Sequence, residues 1–186
     1  TNIVRLMAYS GVAQTGFMIA PLAVAGHSVA TGDQALSATV TYLMIYAAMN
    51  LGAFAVIITL ARRTGSAEIS SYSGAFHYAP GLTLAMTVFL FSLAGIPPLG
   101  GWFAKFEVFR VLATAGEPWG YALAVVAAVN SVIALFYYAA IARRMWADEA
   151  PNGDLSPVSV PPSLVSALAL CGIVTLVFGV APQAVA

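Results

Sequence analysis

The protein has 186 residues, of which 61% are hydrophobic and only 8% charged, and its mean hydropathy is +0.90. Soluble domains are nearer a quarter charged, so the composition excludes the single soluble domain that the length alone suggests and points to a polytopic membrane protein. Seven basic and seven acidic side chains cancel, which leaves no basic surface for nucleic acid and no acidic tail, and the lone Cys171 excludes a disulfide framework, a CxxC motif and a zinc set.

Thr1 to Arg5 carry no initiator Met, no charged leader and no small-residue cleavage site. A signal peptide is not expected there, and the chain reads as part of a longer polypeptide. Stretches free of Asp, Glu, Lys and Arg run over 6–32, 34–61, 69–104, 118–142 and 155–186. Each exceeds the roughly 20 residues that a membrane helix needs. Turn-forming residues narrow them to helices expected near 6–26, 36–61, 80–112 (interrupted), 119–144 and 163–181. Gly32-Asp33 is expected to part the first two, and Gly65-Ser66 to end the second. Ala115-Gly116-Glu117-Pro118 makes a turn before the fourth, and Pro151 to Asp154 with Pro161-Pro162 bounds a solvated loop before the fifth. The fold class is all-α: a transmembrane helix bundle of five spans, one broken, forming a single membrane domain over 1–186.

Threading these spans alternately puts Arg5, Arg62, Arg63, Arg143 and Arg144 on one side, five of the seven basic residues, while the opposite loops hold Asp33 and Glu117. By the bias of Lys and Arg toward the cytoplasmic face, the first side is cytoplasmic and the chain ends outside.

Residues 80–112 would measure roughly 50 Å as a straight helix, against a hydrocarbon core of about 30 Å. Their middle, Gly95-Ile96-Pro97-Pro98-Leu99-Gly100-Gly101, contains two prolines without an amide hydrogen, and Ile96 is pushed out of the helical region by the proline after it. The helix must break at Gly95, Pro97, Pro98, Gly100 and Gly101. Irregular backbone at membrane depth is tolerated where protein or water satisfies it, and discontinuous helices build ion sites in transporters. The plainer alternative is a proline kink.

Lys105 favours the site. It lies roughly 15 Å from the following turn, farther than its stem reaches by snorkelling, and a charge at that depth costs at least roughly 2.5–3.5 kcal/mol. It therefore needs a partner, a wet cavity or neutralisation, and it is the candidate catalytic residue for proton transfer. Glu107 is two residues on, about 200° around the helix, and faces away. Arg110, three residues beyond Glu107, is the better mate for that acid. The alternative is a Lys105 paired with Glu107 by bending, or with an acid elsewhere in a longer chain.

Further candidates for a proton path are Glu107 and polar residues at helical spacing. Thr39, Tyr42, Tyr46 and Asn50 share one face of the second helix; Asn130 with Tyr137, and Ser131 with Tyr138, stack on the fourth. Such rows line a water chain or, equally, glue helices together. His27 and His77 read as interfacial residues, with a proton relay as the alternative for His77. Trp102, Trp119 and Trp146 read as belt residues. No nucleotide, flavin, haem, iron–sulfur or zinc-protease motif occurs.

Several stretches resemble one family. The segment Arg5-Leu6-Met7-Ala8-Tyr9-Ser10-Gly11-Val12-Ala13-Gln14-Thr15-Gly16-Phe17 resembles the pattern R-L-x-A-Y-S-S-x-A-H-x-G-Y of the antiporter-like membrane subunits of respiratory complex I (NADH-quinone oxidoreductase). Residues 46–54, 92–106 and 130–138 resemble stretches of its subunit N in particular, the second being similar to the broken helix S-L-A-G-I-P-P-L-x-G-F-x-x-K-F. The resemblance runs in order over nearly the whole chain and implies the C-terminal five-helix portion of an inverted-repeat subunit. It implies that Lys105 is the proton-path lysine of the broken helix, that the subunit belongs to a proton-translocating enzyme and that it has no activity alone. It further implies that NADH, FMN, iron–sulfur clusters and quinone are bound by other subunits, with no cofactor in this chain. Implied partners are other membrane subunits, including neighbouring antiporter-like ones, and the lipid bilayer of a bacterial inner membrane. Gln14 departs from the pattern: it stands where histidine is usual, and an amide does not titrate. The readings set against this one are an Mrp-type sodium/proton antiporter or membrane-bound hydrogenase subunit, and a purely structural membrane anchor.

Overall fold

The computed structural model describes residues 2–181, which fold into helices joined by short turns. Helix α1 spans Ile3–Ile19, and the Asn2 side chain caps it by accepting from the Arg5 amide (3.1 Å). Pro21 cannot donate back to the turn before it, and the chain continues as a 3₁₀ segment over Ala20–His27. Helix α2 then runs unbroken over Val29–Thr64. This corrects the expected boundary at Gly32-Asp33: the chain turns at Ser28, which is extended and whose hydroxyl accepts from the Thr31 amide (3.1 Å), so Gly32 and Asp33 fall inside the opening turns. Gly65, left-handed at φ 66°, ends the helix where expected.

A connection containing a 3₁₀ turn (Ile69–Tyr72) and the single-turn α3 (Ala75–Tyr78) leads to α4 (Pro80–Ala94). After the break comes α5 (Gly100–Thr114). Each of these 15-residue helices is roughly 22 Å long, too short to cross a bilayer alone. Glu117 and Pro118 start α6 (Pro118–Ala147), and Pro161 and Pro162 start α7 (Pro162–Val180). Among the described residues, four helical segments are long and apolar enough to cross a membrane: Ile3–His27, Val29–Thr64, α6 and α7. The expected broken span is the α4–α5 pair.

The long α2 is the central post, packed against the 3₁₀ segment, α4, α5 and α7, while α6 covers the other side of α4. Phe89 of α4 lies across Gly52 of α2, where a Cβ would enter the ring. The two ends of the bundle differ. At one, the Ile3 amide donates to the Ala67 carbonyl (2.8 Å) and the Gly74 amide to the Arg144 carbonyl (3.0 Å), drawing the five arginines of the alternate threading together. At the other, His27 Nδ1 lies 2.8 Å from Glu117 Oε1. Of the tryptophans, Trp146 stacks on Phe76 at the arginine end, whereas Trp102 sits in the first turn of α5, stacked on Phe106 beside the break.

Candidate functional site at the broken helix

An α-helical carbonyl accepts from the amide four residues on. For Leu93 that residue is Pro97 and for Ala94 it is Pro98, so the two prolines select which two carbonyls lose their partners. The carbonyls just before them are served locally. Gly95, at φ 93°, turns its amide to Phe91 (3.1 Å) and Ser92 (2.9 Å), and the Ile96 amide also donates to Phe91 (3.0 Å). This left-handed turn closes α4. Across the gap, the Ser92 hydroxyl accepts from the Gly101 amide (3.0 Å), which ties the start of α5 to the end of α4.

Both orphaned carbonyls receive side-chain donors. Lys105, 4% exposed, reaches back along α5 and donates from Nζ to the Ala94 oxygen (2.8 Å). Gln14 of α1, 1% exposed, donates from Nε2 to the Leu93 oxygen (3.0 Å). The Lys105 ammonium also sits 4.6 Å above the centre of the Phe17 ring, a cation–π contact. None of the ion pairs recorded among the described residues includes Lys105.

A row of polar groups meets at Gln14. Its Oε1 accepts from the Tyr42 hydroxyl (2.5 Å), and its Nε2 also points at the Tyr138 hydroxyl (3.4 Å), which in turn bonds the Ser10 hydroxyl. Ser10 borders a cavity of about 420 Å³ between α1 and α6 that extends to Arg5 and is lined as well by Tyr9, Asn130 and Tyr137. Asn130 and Ala13 also line a second cavity of about 240 Å³ that reaches Phe17. The row runs from the arginine end toward the break.

Of the sequence-derived candidates, the structure brings together Lys105, the break residues Gly95, Pro97, Pro98, Gly100 and Gly101, and, through Gln14, Tyr42 and Tyr138. Tyr46 is half-buried with its hydroxyl over Gly11, where an added Cβ would lie 3.2 Å from it. Tyr137 packs edge-on to Tyr138 at 4.5 Å. Asn130 is exposed along the cavities, Asn50 is half-buried on α2, and the Ser131 hydroxyl is buried without a partner. Glu107 turns away and pairs with Arg110, whose Nε and Nη2 lie 3.1 and 2.5 Å from Oε2. Thr39 donates to the Ala35 and Met18 carbonyls, which makes it a helix tie.

Helix α7 completes the site from the far side. Its buried residues are Thr175 and Gly179, and both lie against the break: a Cβ on Gly100 would come within 2.8 Å of the Thr175 carbonyl, and one on Gly179 would overlap the Pro98 and Leu99 backbone.

Residues 1–131 match the family model of the NADH:quinone oxidoreductase/Mrp antiporter transmembrane proteins. The chain belongs to this family. The matched span of this antiporter-family protein contains the break, Lys105, Gln14 and Tyr42; Tyr138 lies beyond it. Similar relatives include NADH-quinone oxidoreductase subunit N 1 of Koribacter versatilis, 40% identical over 98% of the chain and 35% of the relative, and subunit N 2 of Sorangium cellulosum, 38% identical over 96% of the chain and 34% of the relative. The chain thus spans about a third of the length of the curated relatives it matches. Among solved structures, a chain of respiratory complex I from Thermus thermophilus with bound aureothin matches with TM-score 0.60 and 24% identity, covering 95% of this chain and 44% of that one. That likeness carries the fold.

Sequence reasoning left Gln14, Ser10 and Ser92 out of the candidate site. Counting four residues back from each proline identifies two carbonyls that must find donors, but does not say that Gln14 supplies one.

Proposed function

We propose that the chain is a portion of subunit N of a bacterial proton-translocating NADH:quinone oxidoreductase and that Lys105 carries protons in it. The observation that supports this reading is an ammonium buried at a helix break with a carbonyl and a ring face as its partners. Such a group keeps its place whether charged or neutral: the ammonium offers three N–H donors and the amine two, and the Ala94 carbonyl needs only one. Electron transfer in other subunits, which bind NADH, FMN, iron–sulfur clusters and quinone, would bias the hydration around Lys105 and so its hold on the proton. In this reading the chain would carry no redox centre and would have no activity alone.

The subunit-N names of its relatives favour this reading over an Mrp-type antiporter or a hydrogenase subunit. In this proposal residues 1–186 form one membrane domain in the inner membrane, packed beside other membrane subunits. The arginine-rich end is cytoplasmic and the C-terminus external, in keeping with the charge bias of the loops.

The test is Lys105→Ala in the full-length subunit within its assembled complex. Protons moved per electron pair are expected to fall roughly tenfold or more, as for loss of a proton-transferring side chain, with assembly intact. Normal pumping by that variant would leave the chain a structural anchor. Purification without NADH-binding and iron–sulfur subunits would point to the Mrp class.

A further inference from the structure

Two carbonyls are freed at this break, and the proton-carrier reading of Lys105 uses only one of them. They belong to consecutive residues at the end of α4, so an ammonium bound to one lies a side-chain rotation from the other. A buried carbonyl left without a donor carries the full cost of its lost hydration. If nothing else served Leu93, the three donors of Lys105 would be drawn to both oxygens, and an ammonium held by two carbonyls gives up its proton less readily than one held by a single carbonyl.

Gln14 removes that demand. The Leu93 oxygen requires a donor, so the Gln14 amide must present Nε2 to it; the flipped amide would set oxygen against oxygen. In that orientation the Tyr42 hydroxyl of α2 donates to Oε1, and Tyr138 receives the second Nε2 proton on α6. Helices α1, α2 and α6 thus hold one amide against the end of α4. An amide has no proton to lose near neutrality, so this clamp does not change when Lys105 charges or discharges.

We infer that Gln14 is a positioning residue for Lys105: by taking the Leu93 carbonyl, it leaves the ammonium a single, releasable hydrogen bond to Ala94. This rests on Lys105 as the proton carrier.

The test uses the full-length subunit in its assembled complex with four variants: Gln14→Leu, Gln14→His, Lys105→Ala, and Gln14→Leu combined with Lys105→Ala. Protons moved per electron pair are read together with redox turnover and assembly. Gln14→Leu lowers the ratio about tenfold, the scale of the second hydrogen bond that the ammonium then makes to the Leu93 carbonyl. Gln14→His, whose ring N–H can reach the same oxygen, restores most of it. The double variant is no worse than Lys105→Ala alone, because Gln14 acts through Lys105. A wild-type ratio in Gln14→Leu overturns the inference, as does a double variant whose losses multiply, which would make Gln14 ordinary helix glue. Should Gln14→Leu not assemble, Gln14→His decides: if it assembles without pumping, the inference fails. Normal pumping by Lys105→Ala defeats the carrier reading itself, whereas loss there beside a wild-type Gln14→Leu defeats only the positioning role.

Discussion

Lys105 and Glu107 are two residues apart, and their surroundings separate them. The lysine faces the break, where its charge finds a carbonyl and an aromatic face; the acid turns away from it and joins Arg110, the arginine side chain 46% and the glutamate side chain 17% exposed. With its arginine open to solvent, the pair is worth on the order of 1 kcal/mol. Glu107→Gln is therefore expected to leave protons moved per electron pair within about twofold of wild type. A loss as deep as that of Lys105→Ala would assign the transfer to the acid. The lysine was legible in the sequence because an ammonium so far from either end of an apolar segment conflicts with its solvent. Gln14 was not, because a buried amide is unremarkable until the orphaned oxygen opposite it is known, and that oxygen belongs to a helix 79 residues away.

At the scale of elements, glycine lets the two half-helices approach. A Cβ on Gly101 would enter the Ser92 carbonyl, so Gly101→Ala must force α4 and α5 apart, whereas Gly172 of α7 has nothing within 4 Å of its Cβ position. Gly101→Ala is expected to destabilise by about 3 kcal/mol, the upper range for overpacking. Gly172→Ala gains about 0.5–1 kcal/mol from lower backbone entropy. Thermal unfolding of the detergent-solubilised subunit checks both, and a tolerated Gly101→Ala would mean that the junction is loose. The break could be read from sequence because proline and glycine act locally. The start of α2 could not, since a serine cap eight residues upstream of the expected start outweighed the Gly32-Asp33 pair. Spacing puts polar residues on one helix face but does not say what that face meets. Tyr42 and Tyr138 meet Gln14, while Asn130 lines an open cavity.

Over the whole molecule, the arginine end is bound together by a strap, residues 151–161, across the foot of α2. Arg63 donates to the Asp154 and Ser156 carbonyls (both 3.0 Å), lies 3.3 Å from the Asp154 carboxylate and stacks on Tyr78. The Asp154 carboxylate also accepts from the Ser156 amide (2.9 Å) and hydroxyl (2.6 Å). Those two Ser156 bonds, with a smaller pull from Arg63, hold the carboxyl below the ordinary carboxylate value. A lowered folded value means that the strap's contribution is complete above the unfolded value and is lost as pH falls through the folded one. In sealed vesicles with the cytoplasmic face outward, pepsin cleavage near exposed Leu155 should be faster in Asp154→Ala than in wild type at roughly pH 5, and the two rates should converge toward roughly pH 2 as the carboxylate is protonated. Arg63→Lys is expected to loosen the strap too, since an ammonium cannot make the planar, forked and stacked contacts of a guanidinium. Vesicles of the opposite orientation should protect the strap altogether. Cleavage there would invert the proposed topology, and with it the proposed direction of proton transfer through Lys105.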